Sequence, residues 1–183
     1  MKRFWKNDKL TRLGYYFAKL YSFLIRNHEA LVEYYRKCGA KIGNQCLICT
    51  PIIGGDSWLV SIGDNTVIST DVELVLHDYS ISRVIPEKSN LYGRINIGNN
   101  CFIGARSIIM YGVDISDNVI VAAGSVVVNS ISDKNVIIGG NPARIIGTWE
   151  DLKNKHEMHA TYAHSIREIV KKDESILIKR KCI

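Results

Sequence analysis

Histidine is the side chain best suited to moving protons near neutral pH, and the 183-residue chain carries five: His28, His77, His156, His159 and His164. Four lie in flanks with helical patterning, where a solvated role is expected. His156, His159 and His164 are spaced by three and five with no carboxylate fixed opposite them, so no metal is expected there. His77 differs. In Leu74-Val75-Leu76-His77-Asp78-Tyr79 it comes three residues after an inward aliphatic position, at an outward-facing corner beside a segment that interrupts the pattern and can wall a pocket. A neutral imidazole in such a place can take a proton from a hydroxyl. The cysteines, Cys38, Cys46, Cys49, Cys101 and Cys182, form an odd set without framework spacing, which suits a reducing compartment. The one CxxC, Cys46 to Cys49, lacks a second pair or nearby histidines and is read as packing.

What positions these groups is one folding unit, at roughly 100–200 residues per domain. Hydrophobic residues make up 46% and charged residues 23% of the chain, which excludes disorder, collagen or coiled coil for the whole. A net charge of +6 favours anionic partners without choosing among them. From Met1 to Gly39 the chain is basic and aromatic, and Leu13, Phe17, Leu20, Phe23 and Leu24 recur at helical intervals, with Leu31, Tyr34 and Tyr35 beyond. This predicts one or two helices ending at Gly39 whose aromatic face packs on the next layer.

From Ala40 to Ile146 helix signals vanish and a period of six takes over. Aliphatic residues stand at Ile97, Ile103, Ile109, Ile115, Val121 and Val127, with small or β-branched partners four places later at Cys101, Ser107, Val113, Val119, Ser125 and Ile131. The period recurs at Ile62, Ile68 and Leu74, and at Ile42 and Ile48. The register breaks around Gly54-Gly55-Asp56 and at an insertion spanning 80–94. A period of six fits neither an amphipathic helix nor a hairpin array. It fits a prism with three faces, one inward aliphatic per six residues and Gly, Asn or Asp at the corners, stacked at about 4.8 Å per turn over some five turns. After Gly147 the charged stretch Trp149 to Lys172 predicts a capping helix, and Ile176 to Ile178 an edge strand or frayed tail. The domain reading is 1–39, a helical segment; 40–146, the β coil; and 147–183, a C-terminal helix and tail.

Ile97-Gly98-Asn99-Asn100-Cys101-Phe102-Ile103-Gly104-Ala105, then Gly112-Val113-Asp114-Ile115, Ala122-Ala123-Gly124-Ser125-Val126-Val127 and Gly139-Gly140-Asn141-Pro142-Ala143-Arg144 resemble the hexapeptide-repeat acyltransferases, nearest the galactoside and maltose O-acetyltransferase-like group. The resemblance spans about Ile62 to Gly147. It departs from the family at Phe102, a position often held by Trp, and at the less regular Ile109-Met110-Tyr111.

The resemblance implies a mainly β fold, a left-handed parallel β-helix, forming a homotrimer with acetyl-coenzyme A between subunits. It implies His77 as the base that activates a sugar or glycan hydroxyl, with the Ala105 N–H near the thioester as oxyanion donor. Phe102, Gly104, Ala105, Ala123, Asn129, Lys134 and Arg144 are the expected cofactor contacts, Lys134 and Arg144 meeting the phosphates. Asp78, Tyr79, Arg83 and Tyr92 are the expected acceptor pocket. The partner that orients His77 is open between Asp56 and a backbone carbonyl, since the side chain of the adjacent Asp78 diverges along a strand.

The rivals fail on inventory. A gamma-class carbonic anhydrase needs three zinc-binding histidines, and the repeats hold one. About 40 residues before the coil are too few for the N-terminal domains of serine acetyltransferases or nucleotide-binding amino-sugar N-acetyltransferases. The alternative outside enzymes is a non-catalytic β-solenoid scaffold, and scattered charge disfavours nucleic acid. No secretory signal or spanning segment is read, so the expected location is cytoplasmic. The N-terminal segment is expected to pack as a cap; peripheral contact with a membrane surface, docking a lipid-linked glycan, is the other reading.

Overall fold

The computed structural model describes residues 8–24, 27–52, 55–161 and 166–178. Gly54, His164 and Cys182 lie outside these. The chain divides into two compact units, Met1–Ile146 and Gly147–Ile183.

The first unit opens with α1 (Asp8–Leu24) and α2 (Glu29–Lys37). Short strands follow: β1 (Lys41–Ile42), β2 (Leu47–Ile48), β3 (Val60–Ile62), β4 (Val67–Ile68) and β5 (Glu73–Leu74). An antiparallel pair, β6 (His77–Asp78) and β7 (Leu91–Tyr92), interrupts the series. The coil resumes with β8 (Ile95–Ile97), β9 (Phe102–Ile103), β10 (Ile108–Ile109), β11 (Asp114–Ile115), β12 (Val119–Val121) and β13 (Val126–Val127). It ends with β14 (Val136–Gly140) and β15 (Ala143–Thr148).

These strands stack as three ladders, β1-β3-β8-β11, β2-β4-β9-β12-β14-β15 and β5-β10-β13. The registers between coils are parallel: Asn96 lies under Asp114, Phe102 under Ile120 and Ile108 under Val126, each eighteen residues on. Three sixes therefore make one turn. The first turn takes twenty, Lys41 pairing with Ser61, and a 3-10 turn at Ser57–Leu59 follows the break expected near Gly55. Where the insertion intervenes, Val60 pairs with Ile95 and the ladder continues as though nothing had been added. All six aliphatics of the uninterrupted period are buried, Ile103, Ile109 and Val121 completely.

The corners explain why the sequence repeats. Asn65, Asn100 and Asn118 all adopt the left-handed conformation, with φ of 52°, 55° and 58°. Their side chains form a ladder along the coil axis: Asn65 Nδ2 donates to Asn100 Oδ1 and Asn100 Nδ2 to Asn118 Oδ1, both at 2.8 Å. One residue earlier, the Asp64 N–H donates to Asn99 Oδ1 and the Asn99 N–H to Asp117 Oδ1, both at 2.8 Å. Before these stand Gly63 and Gly98, where a Cβ would lie 2.7 Å from the backbone nitrogen of Asn99 or Asp117 on the next turn. Inside, the Thr66 hydroxyl donates to the Gly98 carbonyl at 2.9 Å and Ser107 Oγ to that of Gly104 at 2.8 Å, so the small polar residues of the repeat answer corner carbonyls. Cys46 belongs to this set, its thiol donating to the Gly63 carbonyl at 3.0 Å and pushed up in pKa by burial. Cys49 is exposed.

α2 closes the first turn. Its Arg36 side chain donates to the carbonyls of Ile42 and Gly43, which occupies the open edge of the stack. Tyr35 is fully buried, its hydroxyl donating to the Thr50 carbonyl at 3.1 Å. α1 lies on α2 through Gly14 against the Tyr34 ring and Tyr15 stacked on Tyr35 at 6.3 Å. This reverses the expected packing of α1: it buries Tyr15 and Ser22, while the sequence stripe Leu13, Phe17, Leu20, Phe23 and Leu24 is exposed.

In the second unit the expected single helix is broken. α3 (Trp149–His156), held by a capping box between Thr148 and Asp151, runs into a 3-10 turn at Glu157–His159, and α4 (Ile166–Lys172) follows. Glu174–Ile176 is another 3-10 turn, not a strand. Among the described residues no helix is long and apolar enough to cross a membrane.

Gly98→Ala is expected to lower stability by about 1–3 kcal/mol in urea unfolding, because its Cβ meets backbone rather than a flexible side chain. Burial raises the Tyr35 phenol above its ordinary pKa and that of Tyr34 to about 12. A raised pKa means stability complete below the unfolded value of about 10 and lost as pH climbs past it. Tyr35→Phe should therefore cost about 1 kcal/mol at neutral pH, from the lost bond to Thr50, yet flatten the alkaline fall in stability.

Candidate functional site

The insertion is what carries His77. The chain leaves the third ladder after β5, turns outward through Val75 and Leu76, and returns at Tyr92 with the Gly93 N–H donating to the Leu76 carbonyl at 3.2 Å. His77 therefore sits on the rising strand of the insertion, paired with Tyr92, rather than on a bare coil corner; the excursion starts a few residues before Ser80. The two rings stand 5.6 Å apart, tilted by 43°.

Nδ1 of His77 lies 3.1 Å from Oδ2 of Asp56. Asp56 reaches it from the start of the 3-10 turn Ser57–Leu59, closed by the Leu59 N–H donating to the Asp56 carbonyl, in which Ser57 is buried and Trp58 exposed. A carboxylate opposite Nδ1 favours the tautomer protonated there, which leaves the Nε2 lone pair free. Nε2 has no contact among the described residues, and the side chain is half exposed. Of the orienting partners left open by the sequence, the geometry selects Asp56. Asp78 is engaged elsewhere: its Oδ1 accepts the Ser80 N–H at 2.7 Å, which holds its pKa below the usual carboxylate range.

Beside this dyad the Arg94 guanidinium lies 5.2 Å from the centre of the Trp58 ring and donates to the Trp58 carbonyl. Trp58 is two residues from Asp56 and Arg94 two from Tyr92, so the stack shares both segments of the dyad. Neither residue was anticipated; with Val60 under Ile95, Arg94 falls one turn above Leu59, the neighbour of Trp58. A cleft of about 250 Å³ is lined by Ile52, Ser57, Val60, Leu74 and Leu76 among others, and by none of Asp56, Trp58, His77, Tyr92 and Arg94. It is small beside the roughly 300–1,000 Å³ of a complete ligand site.

The other expected residues are spread along the coil. Tyr79 and Arg83 are exposed in and before the 3-10 turn Ser80–Arg83, without a described contact to His77. Phe102 is partly exposed on β9. Gly104 is buried, and its N–H donates to the Val121 carbonyl at 2.8 Å; a Cβ there would strike the Ala123 nitrogen, so this glycine serves coil stacking. The N–H groups of Ala105 and Ala123 have no partner among the described residues, and the two corners stack, the Gly124 N–H donating to the Ala105 carbonyl at 2.9 Å. Asn129 stands two residues after β13, at the His77 end of the third ladder, whereas Ala105 lies at its other end. Lys134 Nζ lies 2.9 Å from the Asp117 carboxylate, and Arg144 donates to the Ala143 carbonyl. One chain thus brings together Asp56, His77 and Tyr92 but keeps them a whole face away from Ala105 and Ala123. In the second unit the rings of His156 and His159 meet edge-on at 6.3 Å, and no group of three metal-ligating side chains occurs among the described residues.

Comparison with known proteins decides the family. Residues 94–129 match the model described as the hexapeptide repeat of succinyl-transferase. Protein CapG of Staphylococcus aureus is 40% identical over 143 residues, covering 75% of this chain and 82% of CapG. The chain belongs to the hexapeptide-repeat acyltransferases. Galactoside O-acetyltransferase of Escherichia coli (strain K12) is 35% identical over 108 residues, 58% of this acyltransferase and 52% of that enzyme, so the match spans about half of the latter. Among solved structures, a galactoside acetyltransferase in complex with coenzyme A covers 81% of the acyltransferase and 85% of that chain, with TM-score 0.54 and 25% identity. A hexapeptide-repeat acetyltransferase from Vibrio cholerae covers 78% and 92%, with TM-score 0.56 and 20% identity, a likeness of fold.

The Asp56 contact has a direct spectroscopic consequence. In ¹⁵N-detected spectra of neutral His77 the proton should reside on Nδ1. In Asp56→Ala that preference should disappear while the melting temperature changes little.

Proposed function

We propose that this acyltransferase moves an acetyl group from acetyl-coenzyme A to a hydroxyl of a sugar or glycan precursor, with His77 as general base. The observation that carries the reading is the Asp56–His77 pair, 3.1 Å apart beside Tyr92 on a half-exposed strand, with Nε2 unengaged. Nε2 takes the acceptor hydroxyl's proton as its oxygen attacks the thioester carbonyl. The tetrahedral oxyanion collapses with expulsion of the coenzyme A thiolate, which leaves protonated by the imidazolium. Asp56 holds the tautomer and balances the imidazolium that forms between the two transfers.

The sugar-hydroxyl acceptor rests on the relative named galactoside O-acetyltransferase, and the acyl donor on the coenzyme A complex of the similar structure. Tyr92, Trp58 and Arg94, with Asp78, Tyr79 and Arg83 above them on the insertion, form the acceptor side. On the donor side the unpaired N–H groups of Ala105 and Ala123 face the thioester oxyanion and the pantetheine amides, Phe102 flanks them, and Lys134, Asn129 and Arg144 lie toward the phosphates.

Because dyad and N–H groups occupy opposite ends of one ladder, the reading requires a second copy to supply the donor side. A left-handed coil assembled as a trimer meets that requirement, with the coil at 40–146 as the catalytic part between a helical segment at 1–39 and a tail at 147–183. A cytoplasmic location, where acetyl-coenzyme A is available, goes with it.

The test is thiol release from acetyl-coenzyme A against a panel of sugars, nucleotide sugars and glycan fragments. His77→Ala should lose about 10²–10⁴-fold in kcat with the fold intact. Full activity in the variant would end the assignment.

A further inference from the structure

We infer that the outward face of α1 docks the protein on the surface of an anionic lipid bilayer. α1 is fixed to the coil by its other face, through Gly14 against Tyr34 and the stacked pair Tyr15 and Tyr35, so the free face is presented by a rigid base. That face carries Leu13, Tyr16, Phe17, Leu20, Phe23 and Leu24, each more than half exposed, with Phe23 at 77%. At 100° per residue they span about 120°, and Tyr21, also exposed, extends the arc to about 160°. Such an arc matches the stripe by which a surface helix normally packs on its core, yet it points away from the core.

Charge selects the occupant. Lys19 and Arg12 stand two turns apart along one edge of the arc, Lys19 lying 5.7 Å from the centre of the Tyr15 ring. After Asp8 the helix contains no acidic residue, and the first 24 residues hold six of the basic side chains against that single aspartate. This segment therefore carries +5 of the chain's +6. A second copy seated on the face would bring an equal positive charge against it. A specific protein partner of that area would need polar anchors, and the arc offers only the hydroxyls of Tyr16 and Tyr21. A bilayer interface asks for what is present: aliphatic and phenyl groups to enter by roughly 5–10 Å, phenols at headgroup depth and cations toward anionic lipid. Because α1 lies outside the acetyl-transfer machinery, docking stands or falls separately from the catalytic reading.

The experiment is flotation of the full-length protein with vesicles of phosphatidylcholine alone and of phosphatidylcholine mixed equally with phosphatidylglycerol, at low and high salt. The wild type should float with the mixed vesicles, more at low salt, and Phe17→Ser/Phe23→Ser should bind at least about tenfold less with an unchanged melting temperature. A Leu20→Trp variant keeps the face apolar: relative to wild type, its added emission should shift to the blue and be quenched by brominated lipid in the mixed vesicles. Absence of flotation with either vesicle, equal binding by the double variant, or unquenched Leu20→Trp emission would overturn the inference. So would sedimentation showing that the double substitution dissociates an oligomer, since a second copy would then cover the face.

Discussion

The whole coil depends on one close approach: the backbone of one turn's corner resting on the next with no side chain between. At Gly63 and Gly98 a single Cβ would push the next turn away from its 4.8 Å stacking distance. Once the turns are that close, the neighbouring Asn side chains have little choice but to bond to one another along the axis, and the left-handed conformation of Asn65, Asn100 and Asn118 aims them there. The aliphatic columns follow from this, since side chains that repeat every eighteen residues lie directly over each other and need no further specification to pack. Hydrophobic burial supplies most of the driving force, but the corners set the geometry in which it acts.

A fold built this way tolerates an excursion at a corner and nowhere else. Between β5 and β8 the chain departs for the insertion, and the ladders above and below still pair in register. The same holds for the two extra residues of the first turn and the 3-10 turn at Ser57–Leu59, placed one turn earlier. Two irregularities of an otherwise periodic sequence meet in space, and their meeting makes the Asp56–His77 pair. The dyad is therefore a product of the breaks in the repeat, with the repeat serving as the ruler that brings them together.

That origin explains what could be read in advance. The three faces, eighteen-residue turn and inward positions were legible because each is written several times over, and Ile97 through Val127 announce them. His77 was singled out because it is the one histidine in the repeats. Its partner was narrowed but not chosen, since whether residue 56 reaches residue 77 depends on a 3-10 turn that no period predicts. Trp58 and Arg94 were missed for the same reason. In α1 the sequence showed a stripe and the expectation took it for the buried side; Gly14, Tyr15 and Ser22, a less apolar set, face α2 instead because Gly14 admits the Tyr34 ring. The second unit defeated periodicity, its apolar positions being too sparse to show where α3 would stop.

Satisfaction of polar groups offers a way to separate structure from function in such a coil. Corner N–H and C=O groups are answered by the next turn, buried hydroxyls and thiols by corner carbonyls, and the first turn's open edge by Arg36. Gly104 conforms, its N–H spent on Val121, and Lys134 conforms through Asp117. The Nε2 of His77 and the N–H groups of Ala105 and Ala123, like the Thr70 N–H one turn below, have no partner among the described residues. His77 lies at one end of the third face and Ala105 and Ala123 at the other. The apolar arc of α1 is the corresponding case among nonpolar surfaces: a face that folding leaves open although the same helix buries Tyr15 and Ser22 on its other side. Where a repeat accounts for most internal contacts, the groups it leaves open are the ones on which the proposed transfer and docking rest.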